Sequence, residues 1–291
     1  MDSYSGSSIG SSLLTGIGGS FIYAGIAAPV ERIQILLQTQ GWNPKLQKEG
    51  RLTGIFNTIG RVYKTQGIFG YWKGGLASMY AIGPTILTGI IFNETHSELS
   101  VIPGFVAYTL CYPASVARAV LASDIKGDFP GTIKVLSHAY KENGFKGLYR
   151  GYTTGLISYF GSSFLMMAAV SASMGLMAYL MFSDSNLGPY TGMVGAAAFT
   201  IGAGLLSYPL DTANRKAMIS IVNPDLAKEH PLGFGIYRSI IRKEGTIKGL
   251  YGGLSVYFLI MLVPMVGGLG LMGAGAMALM GGSDSDDDDE Y

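Results

Sequence analysis

The chain has 291 residues, of which 48% are hydrophobic and 13% are charged, and its mean hydropathy is +0.34. Soluble domains carry about 25% charged residues, so this composition excludes an ordinary soluble domain and a disordered chain and indicates a lipid-facing surface. The single cysteine, Cys111, excludes an internal disulfide bond and a thiolate metal cluster. The three histidines lie far apart in the sequence, and we predict no metal site and no cofactor.

The positive charge is confined to three blocks of the chain. Every Lys and Arg lies in Arg32–Lys73, Arg118–Arg150 or Arg215–Lys248. Because positive residues stay on the side of a membrane from which segments insert, the three blocks are expected to share one face. The tail over 283–291 holds six acidic residues, and an even number of crossings would place it on the opposite face.

The apolar segments between these blocks predict six membrane spans. Each basic block needs one crossing before it and one after it, and a helix needs about 20 apolar residues to cross. The segments contain many Gly, Ala and Ser residues, which let membrane helices approach closely. In chain order the predicted spans are Ser11–Gln38, Gly74–Glu98, Ser100–Leu121, Gly151–Phe182, Pro189–Ile221 and Gly253–Met280.

A proline motif occurs once in each odd-numbered span. The three copies are Pro29-Val-Glu31-Arg-Ile-Gln34, Pro113-Ala-Ser115-Val-Ala-Arg118 and Pro209-Leu-Asp211-Thr-Ala-Asn214. A short amphipathic stretch with a Gly-aromatic ending follows each copy. The repetition predicts three units of span, surface helix and span over residues 1–99, 100–183 and 184–282, followed by the acidic tail over 283–291.

This threefold pattern resembles the mitochondrial carrier family, and the stretch from Ala28 to Gln38 is similar to the first helix of the ADP/ATP carriers. The resemblance implies an all-α membrane protein with six transmembrane helices in three pseudo-symmetric repeats, each with a short amphipathic helix on the matrix side. It also implies a location in the mitochondrial inner membrane. The basic blocks then face the matrix, and both termini lie in the intermembrane space.

In the family, the proline motifs form a gate at the matrix end. Proline removes a backbone donor and crowds the preceding turn, so Pro29, Pro113 and Pro209 are expected to bend the odd-numbered helices. The base of one repeat pairs with the acid of another. The resemblance therefore predicts three contacts here, which are the ion pair Glu31–Arg118, the hydrogen bond Asp211–Gln34 and the uncharged contact Ser115–Asn214.

Other features depart from an ADP/ATP carrier. Neutral residues stand where those carriers have basic residues in the cavity, at Ala24, Ala81, Ser163 and Ile260. Arg215 is the only retained candidate for substrate binding. The membrane-spanning parts of the even-numbered helices have no Lys or Arg, so an ion-pair gate on the opposite side cannot form. The third span has only Ser100–Tyr112 before its proline, a rise of roughly 20 Å at 1.5 Å per residue, and predicts an asymmetric bundle.

Glycines at the ends of the surface stretches predict helix N-termini at the headgroup level, where backbone N–H groups attract phosphate. The resemblance implies bound cardiolipin or another phospholipid there, and tight turns are the alternative reason for the glycines. The candidate lipid-binding residues are Gly54, Trp72, Lys73, Gly74, Gly131, Tyr149, Arg150, Gly151, Gly233 and Gly253.

Only one of the three predicted contacts at the matrix gate is an ion pair, so that gate is mostly dismantled. Together with the loss of the opposite gate, the cavity cations and a full third span, this favours a carrier-fold protein that no longer transports and serves as an accessory subunit of a larger inner-membrane assembly, for example in the respiratory chain. Its partners would be inner-membrane lipids and other membrane protein subunits, with the acidic tail on a basic partner surface. Two alternatives are a working exchanger, either of ADP and ATP or of a less charged solute, and a carrier-like receptor or insertion factor for other proteins. No catalytic set or nucleic-acid motif stands out, so neither an enzyme nor a nucleic-acid-binding protein is predicted.

Overall fold

The computed structural model describes residues 25–43, 46, 50–75, 77, 101–181, 188–222 and 233–260, and all regular structure among them is helical. The second predicted span, Gly74–Glu98, lies almost wholly outside these residues, and the first and sixth lie partly outside them. The α-helices in chain order are α1 (25–39), α2 (Ile55–Gln66), α3 (Val101–Ser123), α4 (Thr132–Asn143), α5 (Phe145–Leu148), α6 (Tyr152–Met181), α7 (Gly188–Ile219), α8 (Gly235–Glu244), α9 (Thr246–Leu250) and α10 (254–260). Short 3-10 helices cover Ile68–Trp72 and Ser220–Val222.

The long helices α3, α6 and α7 lie where the sequence predicts the third, fourth and fifth spans. Two helical segments, Pro103–Ser123 and Phe145–Leu180, are long and apolar enough to cross a membrane. Each predicted bend-inducing proline lies inside a helix, because Pro29 is in α1, Pro113 in α3 and Pro209 in α7.

The helices α3 and α7 continue past their prolines by the same distance. Each ends ten residues after its proline, at Ser123 and Ile219. The shorter third span concerns the opposite ends of these helices, which adjoin residues outside the described part of the chain, and it stays a prediction.

The three amphipathic helices α2, α4 and α8 form where the surface stretches were predicted. Each turns two residues inward at i and i+4 spacing, which puts them on one helical face. These pairs are Thr58 and Val62, Val135 and Ala139, and Ile236 and Ile240. The inner faces of α4 and α8 form one buried cluster with the ends of α3 and α7 that follow the prolines, and Val62 of α2 belongs to a second cluster with apolar residues of α1.

A close backbone approach recurs at the glycine that ends each Gly-aromatic segment. A Cβ atom at Gly74 would lie 3.1 Å from the Arg118 carbonyl oxygen on α3. At Gly151 it would lie 2.8 Å from the Ala217 Cβ on α7, and at Gly253 it would lie 3.3 Å from the Gln34 carbonyl oxygen on α1. The segment after each amphipathic helix thus packs against the next proline-containing helix, and the third packs against the first.

Candidate functional site

The Glu31–Arg118 ion pair is present. An Arg118 Nη2 donor contacts Glu31 Oε2 and joins α1 to α3 beside their prolines. The two side chains are only partly shielded, with 32% of the Arg118 side chain and 17% of the Glu31 side chain exposed. The structure thus brings together the two residues that the resemblance pairs.

The predicted hydrogen bond between Asp211 and Gln34 is wrong. Asp211 Oδ1 instead accepts hydrogen bonds from the hydroxyls of Ser158 (2.6 Å) and Ser162 (3.5 Å), both on α6. Gln34 lies beside Tyr208 on α7. The reason is that α7 packs along α6, and its inward face meets serine hydroxyls before it reaches α1.

The predicted contact between Ser115 and Asn214 is also wrong. The Ser115 hydroxyl donates to the Cys111 carbonyl oxygen one turn earlier in α3 (3.3 Å). Such local bonds compete with contacts between helices, because the acceptor is always within reach. Asn214 lies beside Tyr108 instead.

A second polar contact links α1 to α7. Gln38 Nε2 donates to Thr212 Oγ1 (3.1 Å), and Arg215 Nη1 donates to Gln38 Oε1 (2.7 Å). Arg215, the substrate-binding candidate, therefore binds a side chain of the protein itself. The sequence motifs did not indicate this contact of Gln38 and Thr212. A polar residue in an apolar helix, such as Gln38, was the feature that could have indicated it.

Lys216 is fully buried against the α8–α9 turn. Its Nζ donates to Glu244 Oε2 and to the Gly249 carbonyl oxygen, each at 2.9 Å, and so ties α7 to the α8–α9 turn. Burying an ammonium group is costly unless it is paired, so this contact accounts for the charge.

A cluster around Asp124 joins the first two repeats of the motif. Lys73 Nζ lies 2.7 Å from Asp124 Oδ2, and the N–H groups of Gly127 and Phe129 also donate to this carboxylate. Burial alone would raise the pKa of Asp124, but the Lys73 ammonium and these two N–H groups hold its pKa below the ordinary value. The Asp124 carbonyl oxygen accepts from Arg32 Nη2 (2.9 Å) and from Gln66 Nε2 (3.0 Å).

A cavity of about 980 Å³ opens between the Gly-aromatic segment after α2 and the N-terminus of α4. Trp72, Lys73 and Gly74 line one side, and Gly131 and Lys134 line the other. No side chain caps the α4 N-terminus at Gly131. Four of the predicted lipid-binding residues thus meet in one place. Lys134 was missed, and it is an exposed cation there, whereas Lys73 is paired with Asp124.

The other lipid-binding candidates serve internal contacts. Arg150 Nε donates to Ser220 Oγ (2.9 Å), and Gly233 N donates to Thr154 Oγ1 (2.9 Å). The Tyr149 ring stacks on Tyr112 at 6.0 Å. Gly54 is the residue before α2, and no side chain caps that helix either.

Comparison with known proteins agrees with this fold. A family model described as "Mitochondrial carrier protein" matches residues 5–101 and 95–179. The chain is 31% identical to the ADP,ATP carrier protein of Parachlorella kessleri over 238 residues, which are 71% of this chain and 68% of that protein. It is 26% identical to ADP/ATP translocase 2 of Rattus norvegicus over 247 residues (75% and 80% of the two chains). It is also 26% identical to the Mitochondrial substrate carrier family protein ancA of Dictyostelium discoideum over 270 residues (84% and 85%).

The chain therefore belongs to the mitochondrial carrier family. It has an all-α carrier fold. Membership implies a membrane-embedded protein of the mitochondrial inner membrane.

Proposed function

We propose that this carrier-fold protein does not exchange ADP for ATP and acts as a structural subunit of a larger inner-membrane assembly. The observation that carries the proposal is that the basic side chains of α3 and α7 near the prolines already bind other side chains of the protein. Arg118 pairs with Glu31, Arg215 with Gln38, and Lys216 with Glu244. A nucleotide exchanger needs cations that can replace water around phosphate, and these three are already engaged.

The cavity positions support the same view. Ser163 and Ile260 are uncharged at two of the four positions where ADP/ATP carriers have basic residues, and Ala24 and Ala81 lie outside the described residues. The stretch 170–174 of α6, which corresponds to one arm of the second gate, contains no charged residue. The parts of the second and sixth spans that correspond to the other two arms of this gate lie outside the described residues.

An accessory role is supported by the uncovered part of α6. Near the first described turn of α3, the ring of Phe105 stacks on Phe160 of α6 at 6.1 Å. Beyond that level α6 continues to Met181 and exposes Phe164, Met167, Met174 and Tyr179. Methionine-rich faces adapt to different partners, so a transmembrane helix of another subunit fits along this part of α6.

The proposed topology has six spans in three repeats, with the basic blocks in the matrix and both termini in the intermembrane space. The cyclic contacts of Gly74, Gly151 and Gly253 support three repeats, because each joins one motif to the next. Cardiolipin is the proposed ligand of the cavity beside Trp72 and Gly131. The uncapped α4 N-terminus and Lys134 would hold its phosphate.

Transport is tested with the full chain in cardiolipin liposomes loaded with ADP. We expect no uptake of external ATP above that of empty liposomes, while an ADP/ATP carrier reconstituted in parallel exchanges. Uptake that the inhibitors of ADP/ATP carriers block would overturn the proposal.

Assembly is tested by native gel electrophoresis of mitochondrial membranes in mild detergent, with the full chain and with a chain that ends at Gly282. We expect the full chain to migrate with a large complex. The truncated chain should dissociate more readily as salt rises, because several exposed carboxylates are needed to hold a basic partner and salt screens them within about 8 Å. Migration of the full chain as a monomer contradicts the accessory role. Equal behaviour of the two chains removes the role of the tail.

A second candidate function is exchange of a less charged solute. The intact Glu31–Arg118 pair favours it, because a gate that opens and closes needs at least one contact that can break. Liposomes that take up a neutral or cationic metabolite in exchange for the same compound would establish this function.

A further inference from the structure

The carboxylate of Asp211 has no cationic partner among the described residues. Ser158 and Ser162 both donate to Oδ1, and no described residue donates to Oδ2. The nearest cation along α7 is Arg215, one turn further, and its guanidinium binds Gln38. Oδ2 is not among the buried side-chain atoms without a partner, so a positively charged group can reach it, and pairing would lower the cost of a carboxylate inside a membrane protein.

Two further oxygens at the next level of the bundle are buried without a hydrogen-bond partner. They are the hydroxyl of Tyr108 on α3 and Asn214 Oδ1 on α7. Both lie against Gly155 of α6, where an added Cβ would collide with the Tyr108 hydroxyl and lie 3.1 Å from Asn214 Oδ1. The two oxygens are neighbours, since Asn214 lies beside Tyr108, but neither meets a donor in good hydrogen-bond geometry. Both therefore keep acceptor capacity at this place, whereas most buried polar atoms in proteins have a partner.

These groups occupy adjacent turns of the same two helices. Asn214 follows Asp211 by three residues, which puts the two side chains on one face of α7. Ser158 follows Gly155 by three residues on α6, and the Ser158–Asp211 contact shows that this face of α6 meets that face of α7. The oxygens of Asp211, Asn214 and Tyr108 therefore lie on adjacent turns along the seam between α3, α6 and α7.

We propose that this seam binds the ammonium group of a small organic amine. An ammonium has three N–H donors and no acceptor, which matches Asp211 Oδ2, Asn214 Oδ1 and the Tyr108 oxygen. One carboxylate with neutral oxygens balances a single positive charge, and tyrosine rings beside the seam favour organic cations. The proposal concerns binding alone, so it does not depend on whether the chain transports a solute.

The test is thermal unfolding of the purified full chain in detergent with methylammonium chloride, against sodium chloride at equal ionic strength. We expect methylammonium to raise the Tm in a saturable manner and sodium to leave it unchanged. Asp211→Asn should weaken methylammonium binding at least about tenfold, because it removes the charged acceptor. Glu142→Gln, which neutralises an exposed carboxylate on α4, is the matched control and should bind like the original chain.

Gly155→Ala gives an independent variant that retains the carboxylate. Its methyl group displaces Tyr108 from the seam, so binding should weaken while Asp211 is unchanged. Methylammonium binding of undiminished strength in both Asp211→Asn and Gly155→Ala would overturn the proposal. Equal stabilisation by sodium would overturn the assignment of an ammonium ligand. Neither result bears on the native-gel or liposome experiments, so this site and the proposed function fail separately.

Discussion

Glu31 and Asp211 stand at the same place in two copies of one motif, two residues after a proline, yet their surroundings differ. Glu31 on α1 meets a guanidinium of α3, whereas Asp211 on α7 meets two serine hydroxyls of α6. The first contact neutralises the carboxylate and joins two proline-containing helices. The second only solvates the carboxylate and joins neighbours that are already packed together. The same motif position thus carries an ion pair in one region and, in the other, a carboxylate with no cationic partner among the described residues.

The neighbouring helix therefore decides whether the acid of the motif forms an ion pair or only accepts hydrogen bonds. Arg118 is supplied by the second copy of the motif, but no described base is supplied to Asp211. Removing charge should therefore be costly at the first contact and nearly neutral at the second. Asp124, a carboxylate enclosed by Lys73 and two backbone N–H groups outside the long helices, provides an intermediate case.

The largest effect is expected for Arg118→Ala, which leaves the Glu31 carboxylate without its partner. Loss of one partner of a buried pair costs about 3–5 kcal/mol, and the partial exposure of this pair lowers the expected loss to about 2–3 kcal/mol. Thermal unfolding in detergent measures the change. The double variant Glu31→Ala and Arg118→Ala should recover part of it, and equal stability of the single and double variants would show that the pair contributes nothing.

Asp124→Asn should destabilise the protein by about 1–3 kcal/mol at pH 7, because the amide cannot pair with the Lys73 ammonium and offers one oxygen where the carboxylate offers two. The pKa of Asp124 is lower in the folded protein than in the unfolded chain. Its stabilising contribution is therefore present above the unfolded pKa of about 3.9 and is lost as the pH falls through the folded value. Unfolding of both chains between pH 7 and pH 3 tests this, and a difference that grows towards low pH would contradict it.

The smallest effect is expected for Asp211→Asn in the absence of any added amine. The amide oxygen still accepts from Ser158, and removal of an uncompensated charge offsets the weaker hydrogen bond, so stability should change by less than about 1 kcal/mol. A loss as large as that of Arg118→Ala would mean that Asp211 has a cationic partner and would remove the contrast between the two acids.

The sequence by itself predicted where most of the described helices lie along the chain. The prolines, the glycine-aromatic endings and the alternation of basic and apolar segments are local patterns, and they placed α2, α3, α4, α6, α7 and α8 to within a few residues. The resemblance to the mitochondrial carriers, in which the base of one repeat pairs with the acid of another, implied Glu31 and Arg118 as partners, and the structure contains this ion pair.

The tertiary structure decided the partners of the neutral and surplus polar groups. Gln34, Ser115 and Asn214 can each bond to many groups, and a shift of one helical turn exchanges one partner for another. The sequence could not show that Ser158 donates a hydrogen bond to Asp211 or that Arg215 donates one to Gln38. It also could not show that Lys73, a predicted lipid-binding residue, forms an ion pair with Asp124. A hydrogen bond forms only within about 3 Å, so these contacts depend on how the helices pack against one another, which local sequence patterns do not fix.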